Sequence, residues 1–146
     1  MKHGRESTEH IRMKILVEML FALLGWNVLF EQRCCDVLIW RISNKSLFRI
    51  LNGEAERSLR NAIPNALRNF STGCDGMITL VPDDPQRMAI RRHYQRHLPR
   101  KLWTKIAVIT IPQIERQIKR LHASSGTSFA NTALAANLKN KLFNHV

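Results

Sequence analysis

The stretch Leu47-Phe48-Arg49-Ile50-Leu51-Asn52-Gly53-Glu54-Ala55-Glu56-Arg57-Ser58 decides how the rest of the chain is read. It opens with the apolar character of a strand and ends on two carboxylates two positions apart. Side chains alternate faces along a strand, so Glu54 and Glu56 are expected side by side, opposite Ala55. Upstream, Asp36 heads a second apolar run that continues to Ile42. If the two runs pair as a hairpin through Ser43-Asn44-Lys45-Ser46, Asp36, Glu54 and Glu56 converge at one end of a sheet. Three convergent carboxylates repel unless a cation lies among them, and an all-oxygen set suits Mg²⁺ or Mn²⁺.

Working outward, Ser7 or Thr8 can cap a first helix reaching Leu24, with Met13, Leu16, Val17, Leu20 and Leu24 as its apolar stripe. Glu9 heads that core-facing stripe and Glu18 lies roughly opposite it. Gly25 ends the helix, and Trp26 to Gln32 reads as a first strand. Gly53 inside the third strand implies a bulge or a close approach by another segment. A helix over Ser58–Phe70 carries apolar residues at Leu59, Ala62, Ile63, Ala66, Leu67 and Phe70; Pro64 places its N-cap at Asn61. Gly76 to Val81 fits a strand buried on both faces. Asp84-Pro85 then predicts an N-cap and N1 proline for a basic helix to about His97. Lys105 to Ile111 reads as the last strand and Ile114 to Leu121 as a last helix. The order αβββαβαβα predicts an α/β fold: one mixed β-sheet of about five strands flanked by helices on both faces. Residues 1–121 form its single domain. Residues 122–146 read as a linker and a tail whose Leu134, Leu138 and Leu142 suit a docking or dimerising helix, so a homodimer is one expected assembly.

The 146 residues carry a net charge of +12, and its placement matters more than its size. Residues 1–84 hold 11 Lys/Arg against 10 Asp/Glu, whereas residues 85–146 hold 12 against Glu115 alone. Acids gather where the site is expected and bases follow, a layout suited to a polyanion beside a metal. Arg87, Arg91, Arg92, Arg96, Arg100 and Lys101 are the expected nucleic-acid contacts. The three cysteines include no CxxC pair, the N-terminus is polar, and the apolar run Ile15–Leu24 is short and holds Glu18. Those features predict a reduced, cytoplasmic protein with no signal peptide and no membrane span. No GxGxxG or Walker loop supports a nucleotide cofactor. His93 and His97 sit at i and i+4, but nothing near them completes a zinc site. Trp26, Trp40 and Trp103 read as core or rim residues.

Together, a leading helix with Glu9 at its core edge, Asp36 opening the second strand and an acid pair closing the third resemble the PD-(D/E)XK nuclease superfamily. The likeness runs over roughly residues 6–118 in element order. It implies a restriction-endonuclease-like core and hydrolysis of DNA phosphodiester bonds by water activated on Mg²⁺ or Mn²⁺. By the same resemblance Asp36 and Glu54 hold the metal and Glu9 matches the acid that many members add on the first helix. Glu56 stands where the family's motif carries Lys, and Cys35 precedes Asp36 where Pro is usual. Glu56 would then bind the metal itself or hold the attacking water. Glu9-His10 with Lys14 is similar to the helix start of competence- and plasmid-associated branches. Three functions are expected in this order: a metal-dependent DNA endonuclease, an inactive DNA-binding or complex-forming module of the same fold, and a basic RNA-binding protein.

Overall fold

In the computed structural model, residues 7–30, 35–42 and 48–124 are described. Five strands form one sheet whose spatial order follows the chain, β1-β2-β3-β4-β5. Strands β1 (Asn27–Phe30), β2 (Val37–Ile42) and β3 (Phe48–Ala55) form an antiparallel meander. Strands β4 (Gly76–Val81) and β5 (Ile106–Thr110) then add in parallel, each after a helical crossover. The sheet is therefore mixed, as the element order predicts. The hairpin connection, Leu47, Glu31, Gln32, Cys34 and the tail lie outside the described residues.

Alternation along the strands sorts the side chains into two cores. Val37, Ile39, Leu51, Ala55, Ile78, Leu80 and Ile109 face helices α1 (Thr8–Leu23) and α5 (Ile111–Ser124), where Met13, Leu16, Val17, Leu20, Ile114 and Ile118 meet them. Met77, Val81, Ile106 and Val108 face α2 (Ala62–Ser71) and α3 (Asp84–His97), packing on Ala62, Ala66, Ile90 and Tyr94. β4 is buried along its whole length because helices cover both faces. Gly53 continues the β2–β3 register opposite Val37, with no bulge there. A Cβ at Gly53 would lie 3.3 Å from Val37 Cβ, so its role is the close approach of β2, whereas Val17 Cγ1 of α1, at 3.7 Å, would be in ordinary contact.

Several boundaries differ from expectation for local reasons. Leu24 is exposed rather than core, because it is the C-cap of α1. Asp83, not Asp84, caps α3, its carboxylate accepting from the Gln86 amide, so Pro85 sits one position further in. A four-residue helix, α4 (Arg100–Trp103), follows Pro99 before β5. α5 starts three residues earlier than its apolar pattern suggests. The Thr110 hydroxyl accepts from Gln113 N at 3.2 Å while Gln113 Oε1 accepts from Thr110 N at 3.0 Å, a reciprocal cap that tolerates Pro112 in the first turn. α5 also runs past residue 121 to Ser124. No helix among the described residues is long and apolar enough to cross a membrane.

Candidate functional site

Extending the β2–β3 register one step past Val37↔Gly53 sets Asp36, just before β2, opposite Glu54. The two carboxyl groups are near enough for each to shift the other's titration. Asp36 Oδ2 also accepts from the Ala55 amide at 2.9 Å and lies 3.3 Å from His10 Nε2, which α1 brings over the end of the sheet. Glu54 is 5% exposed and Glu56, just past the end of β3, 4%. Both face α2, away from Ala55, as alternation requires. Asn69 Nδ2 donates to Glu54 Oε1 at 2.7 Å, and Asn65 Nδ2 donates to Glu56 Oε1 at 2.5 Å. Arg68 NH2 adds a charge 3.7 Å from Glu54 Oε1.

The electrostatics divide the pair. Burial and then the neighbouring Asp36 charge push the Glu54 carboxyl up to about 8, so it keeps its proton at neutral pH. Burial alone would raise Asp36 too, but its hydrogen bonds from His10 and the Ala55 amide hold it below the ordinary carboxylate range. At neutral pH the pair therefore carries its one proton on Glu54 and its charge on Asp36. Glu56 is raised by burial, against the Asn65 hydrogen bond, with the Asp36 charge adding to the rise. The same field, after burial, pushes the Cys35 thiol up to about 12, a buried and inert group.

Two site expectations change. Glu9 does not join the carboxylates: its Oε2 lies 2.9 Å from Arg57 NH2, and that guanidinium's NH1 donates to Ser7 Oγ at 3.0 Å. Arg57 reaches α1 because the chain leaves the strand at Glu56, which frees it from the β3 alternation. Asp36 and Glu54 also stand as a facing pair, with Glu56 held to one side by Asn65. Among the described residues no group of three or more His, Cys, Asp or Glu side chains stands in metal-holding array. The Asp36–Glu54 pair nevertheless fits Mg²⁺ or Mn²⁺, which are commonly bound through one or two carboxylates. Its oxygens are adjacent, and the surplus charge now met by the Glu54 proton is what a cation would meet.

Sequence reading missed the partner face on α2. Asn65, Arg68 and Asn69 recur at i, i+3 and i+4, the spacing of one helix face. Asn69 is fully buried and also accepts from Asn52 Nδ2 at 2.9 Å, so the polar ladder Asn52-Glu54-Glu56 meets amides along its length. To serve it, α2 turns Leu67 to solvent, 49% exposed, against the expected stripe. Asn52 Oδ1 is a buried polar atom without a hydrogen-bond partner among the described residues. Lys14 is buried one turn on from His10 along α1, a polar group just outside the expected apolar stripe. The rings of His93 and His97 are 4.6 Å apart, edge to face. No family model matches the chain, and no curated protein matches it.

Proposed function

We propose that the protein is a metal-dependent nuclease that hydrolyses phosphodiester bonds in DNA. The observation that carries this reading is the placement of Asp36 opposite the buried Glu54 at the matched ends of β2 and β3, with buried Glu56 two positions on. Asp36 and Glu54 are the residues that would hold Mg²⁺ or Mn²⁺, which when bound supplies a Lewis acid and a water of lowered pKa. His10 and the Ala55 amide orient Asp36, and Asn69 orients Glu54. Glu54 must release its proton before it can act as a ligand. Asn65 fixes Glu56 beside the pair, where a raised carboxyl is suited to take a proton from attacking water. Arg87, Arg91, Arg92, Arg96, Arg100 and Lys101, on α3 and α4, supply positive charge for the phosphates, and the resemblance to PD-(D/E)XK nucleases accords with the acids' positions.

Plasmid, single-stranded and branched DNA incubated with Mn²⁺ test this directly. The wild type should cleave, and Asp36→Asn and Glu54→Gln should each lose at least about a hundredfold in rate while keeping a native circular-dichroism spectrum. Full activity in either variant removes the assignment.

A second reading, an inactive module of the same fold that binds DNA, is favoured by Glu56, which puts an anion where the resembling family has a cation. Mn²⁺ titrated calorimetrically into wild type and Glu56→Ala separates the two. The nuclease reading expects weaker binding in the variant. Equal affinity, with no cleavage of any DNA by wild type, selects the module.

A further inference from the structure

On the sheet face that α3 covers, beside edge strand β5, lies a cavity of about 290 Å³. Arg91, Tyr94 and Gln95 of α3, Trp103 and Thr104 at the end of α4, and Ile106 and Val108 of β5 line it. Its walls are fixed. Tyr94 is buried with its hydroxyl bonded to Thr79 Oγ1 at 2.9 Å, leaving only ring surface to the cavity. Trp103 is anchored by its backbone amide on Pro99 O and packs on the second core. The Thr104 hydroxyl is spent on Arg100 O at 2.8 Å. In contrast, no ion pair or hydrogen bond among the described residues engages the Arg91 guanidinium, the Gln95 amide or the Trp103 indole N–H. An apolar floor with a few convergent, unspent polar groups is the make-up of a ligand site.

The ligand class follows from those groups. Trp103 offers a flat face for stacking, Gln95 an amide that can both donate to and accept from a base edge, and Arg91 a fork for phosphate. Arg100 and Lys101 are exposed on the same α4 turn, and Arg92 and Arg96 on α3, so the positive charge beside the cavity favours a polyanion. A paired base cannot leave its stack to enter a cavity of this size without the cost of unpairing. We propose that this cavity receives one unpaired base of single-stranded DNA, stacked on Trp103, with Gln95 on its edge and Arg91 on its phosphate. The site works whether or not the carboxylates cleave. Val108 stands level with Thr79 and Glu54 in adjoining ladders, so the cavity lies two strands, roughly 10 Å, across the sheet from Glu54.

The test is fluorescence anisotropy without divalent cation, so that cleavage plays no part. Three labelled ligands are compared at one salt concentration: an oligothymidylate, an abasic oligomer of equal length and a duplex. Wild type should bind the oligothymidylate about tenfold more tightly than the abasic oligomer. Trp103→Leu, which keeps apolar packing, should erase that difference and leave duplex affinity within about twofold. Gln95→Ala, an exposed change that leaves the fold alone, should reduce the difference by about threefold and covers the case in which Trp103→Leu misfolds. Arg92→Gln on the same helix should weaken all three ligands alike. Equal wild-type affinity for abasic and thymidylate oligomers overturns the proposal. So does a Trp103 or Gln95 effect that is absent, or equal on duplex.

Discussion

At neutral pH Glu54 keeps its proton because burial and Asp36 leave its anion unsupported. An unfolded carboxyl titrates in the ordinary range near about 4, whereas the native one holds on to about 8. Between those values the native state binds more protons than the unfolded, so this stabilisation is complete at the acid end and lost as pH rises through 8. Asp36, held low, acts oppositely, and its contribution is lost on acidification below the ordinary range. Glu54→Gln should therefore flatten the fall in stability between pH 6 and 9 and be more stable than wild type at pH 9, by roughly 2–4 kcal/mol at 1.36 kcal/mol per pH unit. Urea unfolding at both pH values measures it; an unchanged slope would show that Glu54 is already ionised at pH 6. Asp36, Glu54 and Glu56 were readable beforehand because strand alternation leaves a residue two choices of face. His10, Lys14, Asn65 and Asn69 were not, because a polar residue on a helix declares no partner until the strand beneath it is known.

For the elements, the same contrast explains which boundaries were legible. Apolar runs marked all five strands, yet caps decided the helix ends: adjacent acids Asp83 and Asp84 compete for one cap, and Thr110 with Gln113 starts α5 inside what reads as strand. α2 shows the other gap, since its apolar spacing suggests Leu67 inward while the buried carboxylates demand Asn69 there. Asn69 bridges α2 to β3 through Glu54 and Asn52, so Asn69→Ala removes that amide from both, leaving Asn52 with Thr72 and Glu54 with Arg68, and should cost roughly 1–3 kcal/mol. Thermal or urea unfolding reads that loss, and a change below half a kcal/mol would mean that water replaces the amide. Gly53→Ala makes a different demand, pressing a methyl against Val37 of β2. A cost of about 1–2 kcal/mol is expected in urea unfolding, and Val17→Ala in the same chain should recover none of it, because the tight contact is with Val37.

Across the whole molecule, positive charge is concentrated after residue 84, and α3 presents Arg91, Arg92 and Arg96 to solvent. Neutralising the three together should lower the slope of log affinity for duplex DNA against log salt by up to about 3. A preserved slope would put the footprint elsewhere, with Lys139 and Lys141 next to test. The sheet order has a consequence in time. Because every strand pairs with its neighbour in sequence, a chain emerging from the ribosome can lay each new strand on an edge already built. The packing of α5 on the sheet and on α1, where Arg12 and Glu115 clasp the two helices, must wait for the last helix. If the clasp is also absent from the folding transition state, Glu115→Gln should speed unfolding about twofold while leaving the refolding rate unchanged in a chevron plot.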